Sequence, residues 1–82
     1  MPTVLTIRGL AVRIYPNDHR PAHVHVIGGD CEAVFFLQSL FGAPELRENF
    51  GFKPREVNRI RLELSEHIGE LLAAWERIHG PA

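Results

Sequence analysis

Apolar and polar residues alternate along most of the first half of the chain. Thr3 to Arg8 places Leu5 and Ile7 on one side and Thr6 and Arg8 on the other. Leu10 to Tyr15 repeats the pattern, with Leu10, Val12 and Ile14 opposing Ala11, Arg13 and Tyr15. A period of two belongs to a half-buried strand, and the interruption at Arg8-Gly9 predicts a tight hairpin. Pro16-Asn17-Asp18 stops the second strand and opens a loop. His23 to Ile27 alternates again around β-branched Val24 and Val26, and Gly28-Gly29-Asp30 closes it. Glu32 to Leu37 predicts a fourth strand. It is apolar on both faces, as in a central strand or one covered on both sides. Ser39 to Lys53 has no clear period and contains Gly42, Pro44 and Gly51. It reads as a loop with a helical turn at Pro44 to Glu48.

From Pro54 the period changes. Val57, Ile60, Leu64, Ile68, Leu71, Leu72, Trp75 and Ile78 recur at helical spacing. At 100° per residue they fill an arc of roughly 120°, a stripe suited to facing a core. Pro54 fits the first turn, and Gly80-Pro81 ends the helix. An uninterrupted helix to His79 would run about 39 Å at the usual rise per residue. Short strands make a sheet only ~17–20 Å across. The helix is therefore bent or broken near Ser65–Gly69, or one end projects and packs on another chain. The expected fold class is α+β: a four-stranded, mainly antiparallel sheet packed against a long C-terminal amphipathic helix.

Composition narrows the class. The 82 residues suffice for a single domain over 1–82, with a core small enough to make a homo-oligomer unsurprising. A net charge of −1 argues against a general nucleic-acid-binding field, although Arg8, Arg13 and Arg20 gather in the first quarter. One cysteine, Cys31, excludes an internal disulfide framework and fits a reducing compartment. The start of the chain lacks a basic segment followed by an apolar run, and no stretch is long enough to span a bilayer. The expectation is a cytoplasmic protein with no membrane partner.

The chemistry concentrates in Asn17-Asp18-His19-Arg20-Pro21-Ala22-His23-Val24-His25-Val26, which holds three of the five histidines. Residues two apart on a strand face the same side, so His23 and His25 project together. If Val24 and Val26 face the core, both imidazoles lie on the opposite face, with Arg13 and Tyr15 as neighbours and Glu32 within reach. Two chemistries fit. Two imidazoles on a strand chelate a divalent ion such as zinc, with His19 or Asp18 as a third ligand and an open fourth position. Alternatively His19, His23 and His25 act as general acid and base in metal-free RNA cleavage. Arg13 and Arg20 would then neutralise phosphate, Tyr15 would position, and Glu32 would assist substrate binding. The bland readings are a decorated strand surface, Asp18 as turn chemistry, Cys31 as a small half-buried residue, and Trp75 as core. His67 and His79 read as surface positions on the helix.

These residues resemble a known family. Met-Pro-Thr-Val, then Tyr15 with Asn17-Asp18-His19 and Pro21, then His23-Val24-His25-Val26, Gly51-Phe52 and Leu71-Leu72-x-x-Trp75 occur in that order. The chain is similar over almost its whole length to the small prokaryotic proteins grouped as "domain of unknown function 4160". The resemblance implies a component of a two-gene toxin–antitoxin pair, toxin-like and held in check by a small cognate protein. A noncatalytic interaction protein, a homodimer or an antitoxin-type partner with structural or metal-stabilising histidines, is the alternative. Two positions depart from the family pattern. Lys53 stands where a helix-capping Ser is expected, and Ala22 replaces a frequent second Pro.

Overall fold

A computed structural model describes residues 3–38 and 44–80. Five strands precede two helices: β1 (Thr3–Ile7), β2 (Leu10–Arg13), β3 (His23–Gly28), β4 (Cys31–Phe36), β5 (Glu45–Phe50), α1 (Pro54–Ser65) and α2 (Ile68–His79). The strands form one antiparallel meander in the order β1-β2-β3-β4-β5. The α+β class stands. The expected four strands become five, and the long helix becomes two.

The first hairpin follows from its turn. Arg8 and Gly9 both have positive φ, 50° and 79°, the backbone required by a two-residue turn that matches strand twist. Val12 pairs with Val26, and Val26 with Ala33, so these side chains share one face of the sheet. The two helices cover that face. Val12, Val24, Val26, Ala33 and Phe35 are fully buried against Ile60, Leu64, Leu71, Ala74 and Trp75.

The helix stripe is as expected but its axis is interrupted. Glu66 and His67 donate their backbone N–H groups to Glu63 and Leu64 carbonyls in a tightened last turn. His67 then leaves helical geometry (φ −121°, ψ 17°). The break falls inside the expected Ser65–Gly69 window. It lets Leu64 and Leu71 both reach the core of a sheet too narrow for one straight helix. At the start of α1, Lys53 cannot cap as a Ser would. Glu56 nevertheless accepts the Lys53 N–H at 3.0 Å, which is the reciprocal half of a capping box. Arg8 at the hairpin tip reaches Glu63 on α1 at 3.0 Å, an exposed pair of small energetic weight.

The fifth strand corrects the expected helical turn at Pro44 to Glu48. Every residue of β5 is exposed, so no apolar period marks it. Its strand geometry comes from pairing with β4 (Glu32 with Phe50, Val34 with Glu48, Phe35 with Leu46). Such pairing overrides weak local preference. The remainder of the expected loop, residues 39–43, and Pro81 at the helix end lie outside the described residues. After β5 the chain turns at Gly51 (φ +100°), where a Cβ would stand 2.9 Å from Cys31 Sγ. Asn49 locks the next step, accepting from the Phe52 N–H and donating to the Phe52 carbonyl.

The core and the edge should respond differently to substitution. Phe35→Ala leaves a cavity at the centre of the sandwich and should destabilise by about 3–5 kcal/mol. Leu46→Ser, on the exposed edge strand, should change stability by less than about 0.5 kcal/mol. Denaturant unfolding of both variants checks the contrast.

Candidate functional site

The turn Tyr15-Pro16-Asn17-Asp18 places the first functional group. The Asp18 N–H donates to the Tyr15 carbonyl at 2.9 Å, and the Tyr15 N–H donates to Asp18 Oδ2 at 3.0 Å. Pro16 presets φ at the second position of this turn. The carboxylate is thereby held from its own turn and presents its oxygens to β3. Asp18 thus has the turn role expected of it and a second one.

His23 and His25 converge on that carboxylate. His25 Nε2 lies 3.2 Å from Asp18 Oδ1, and His23 Nε2 lies 3.5 Å from the same oxygen. Each ring is held from behind through its other nitrogen. His23 Nδ1 donates to the Pro21 carbonyl at 2.9 Å, and His25 Nδ1 lies 3.2 Å from Glu32 Oε2. A carbonyl only accepts, so His23 carries a proton on Nδ1, whereas His25 faces a carboxylate through each ring nitrogen. Both Nε2 atoms point at the Asp18 carboxylate, an arrangement that calls for positive charge, a proton or a metal ion, between them.

The environment is enclosed but not sealed. The His23 side chain is 5% exposed, Asp18 13% and His25 16%. Burial by itself would raise the Asp18 pKa. The Tyr15 N–H and the two imidazoles outweigh it and hold the carboxyl below the ordinary aspartate value. Tyr15 stands edge-on to the His25 ring at 4.8 Å, and the His23 ring meets Trp75 of α2 at 5.3 Å.

A cleft of about 340 Å³ opens over the cluster, lined by Asn17, Asp18, His19, Arg20, Pro21, His23, His25, Phe36 and Arg47. Asp18, His23 and His25 offer one ligand atom each, all within 4.8 Å of one another. This group matches the expected His23–His25 pair and takes Asp18, not His19, as its third member. His19 is exposed on the cleft wall. Arg20 lines the same wall and donates from Nη2 to the Gly80 carbonyl at 3.2 Å. Glu32 and Tyr15 support His25 from outside the cleft. Arg13 is the cross-strand neighbour of His25, but its Nε donates to Thr3 Oγ1 at 3.2 Å and it does not line the cleft. Cys31 pairs with Gly28 at the far end of β3 and is absent from the ligand group.

Two contributors escaped the sequence reading. His79 is not a surface residue. It stacks on Trp75 at 3.8 Å and bonds through Nε2 to the Tyr15 carbonyl at 3.1 Å and through Nδ1 to the Trp75 carbonyl at 3.2 Å. It ties the end of α2 to the turn that carries Asp18, a contact across 64 residues with no local signal. Arg47 is the other. It belongs to a segment without a period, and only strand pairing brings it to the cleft.

A protein-family model described as Domain of unknown function (DUF4160) matches residues 9–76, most of the chain. No curated protein and no solved structure gives a significant match. No helix among the described residues is long and apolar enough to cross a membrane.

The depressed Asp18 pKa has a direction that can be measured. A carboxyl whose folded pKa lies below its unfolded value of about 3.9 stabilises the fold above that pH. The contribution is lost as pH falls through the folded pKa. Metal-free protein should therefore lose stability below about pH 4, and Asp18→Asn should flatten that part of the curve. Urea unfolding at a series of acidic pH values checks this.

Proposed function

The chain belongs to the DUF4160 family, and from that premise we propose that Asp18, His23 and His25 hold one divalent metal ion as a hydrolytic centre. The observation that carries this reading is the convergence of both Nε2 atoms on Asp18 Oδ1 at 3.2 and 3.5 Å. Bonds of ~2.0–2.1 Å in tetrahedral geometry set neighbouring ligand atoms about 3.3 Å apart. The two separations from Asp18 bracket that value, and all three ligand atoms lie within 4.8 Å of one another. Two imidazoles and one carboxylate suit zinc. The Pro21 carbonyl and the Glu32 carboxylate hold the outer nitrogens as partners of metal-bound histidines do.

Three protein ligands define an open site. Structural zinc sites are closed by a fourth residue, whereas catalytic sites leave that position to water or substrate. All three ligand residues line the cleft, so the fourth position faces it. A metal in such a site lowers the pKa of bound water to about 7 and supplies a nucleophile at neutral pH. His19, exposed on the same wall, accepts the proton.

Metal-free acid–base cleavage fits less well. Every ring nitrogen of His23 and His25 already faces a protein oxygen. Neither imidazole keeps a nitrogen free to exchange a proton with substrate. The toxin-like role in a two-gene pair, with a small cognate protein covering the cleft, is consistent with the open centre and is part of this proposal.

Protein purified without a histidine tag and dialysed against zinc should retain about one equivalent per chain. His23→Ala/His25→Ala should retain less than about a tenth, and Glu32→Gln should weaken binding about 10- to 100-fold. Elemental analysis and competition with a chromogenic chelator give these numbers. Wild-type protein without bound zinc, or variants that bind it equally, would remove the metal from the site.

A further inference from the structure

The Asp18, His23 and His25 cluster would hold the proposed ion, and the cleft walls bear on what that ion would meet. β5 pairs with β4 through a bulge. Glu48 and Leu46 oppose the consecutive residues Val34 and Phe35, which leaves Arg47 as the extra residue between them. Bulges re-aim the side chain they release. Here the released guanidinium lies over the Phe36 ring, 5.7 Å from its centroid, on the wall of the cleft. Phe36 in turn is the cross-strand neighbour of His23.

Charge supports the same reading. A divalent ion would be neutralised by Asp18 and Glu32, and the Arg47 guanidinium then adds positive charge to the cleft wall. Glu45 and Glu48 lie near Arg47 on β5 but do not line the cleft. Arg47 makes no ion pair among the described residues. A guanidinium is a fork of donors matched to phosphate oxygens. The cavity of about 340 Å³ is at the small end of ligand sites, enough for a phosphoryl group and the unit attached to it.

Resting on the metal reading above, we infer that this cleft takes a phosphate ester, its phosphoryl group spanning the metal centre and the guanidinium of Arg47. Water at the metal forms the new bond to phosphorus, and the ester P–O bond breaks. His19 takes the proton released from that water and returns it to the departing alkoxide. Arg47 binds the non-bridging oxygens and is the specificity-determining residue for phosphate.

The test uses the full-length, zinc-loaded chain titrated with inorganic phosphate by calorimetry. Arg47→Ala should keep its zinc and weaken phosphate binding about tenfold or more, in line with the loss of a charge-assisted bidentate contact. Arg77→Ala, on the exposed side of α2, should leave it unchanged. Phosphate that fails to bind a zinc-loaded chain, or binds Arg47→Ala as well as wild type, would overturn this inference and leave the metal centre standing. A chain that fails to hold zinc overturns the centre and this inference together. Turnover of bis(p-nitrophenyl) phosphate over p-nitrophenyl phosphate would assign a phosphodiester backbone, the reverse preference a terminal phosphate. Turnover of neither would overturn the phosphate assignment.

Discussion

The Asp18 carboxylate is the constraint on which the rest of this molecule turns. It is fixed by its own turn, and two imidazoles meet it with their Nε2 atoms. Because His23 donates backwards to the Pro21 carbonyl, it cannot also turn a proton toward Asp18 without becoming charged, and His25 stands between two carboxylates. A half-buried carboxylate met by two imidazole nitrogens is stabilised by positive charge placed between them. A proton supplies that charge in the metal-free protein, and the proposed divalent ion would replace it.

The fold serves this arrangement from three directions. Strand alternation on β3 buries Val24 and Val26 under the helices and leaves His25 on the other face, with His23 at the strand's start. The break between α1 and α2 keeps both helices on a narrow sheet and brings Trp75 against His23. His79, stacked on Trp75, then bonds to the carbonyl of Tyr15. The turn that carries Asp18 is therefore tied both to the sheet and to the last helix. Packing of the core and geometry of the site are not independent in so small a domain.

Much of the site was legible because local rules govern it. His23 and His25 share a side by strand periodicity, and Asn17-Asp18 announced a turn by composition. Those rules could not choose between Asp18 and His19 as the third ligand, since adjacent loop residues point in directions set by turn geometry. The 2.9 and 3.0 Å bonds of the Tyr15–Asp18 turn made that choice. Arg13 shows the converse. Alternation correctly placed it beside His25, yet its side chain runs to Thr3 and away from the cleft.

Taken alone, the sequence determined the α+β class, the first four strands, the buried face of the helices and the window in which they break. Each of these depends on periodicity over a handful of neighbouring residues, which burial on one side imposes directly. Tertiary structure decided the rest. β5 exists because β4 offers a free edge to pair with, and its exposed residues carry no burial pattern to betray it. Arg47 reaches the cleft through a register shift between strands, and His79 reaches Tyr15 across 64 residues. Such contacts are set by how elements stack, not by what adjoins in the chain. The histidines of the Asn17–Val26 stretch were visible from the start; what surrounds them was not.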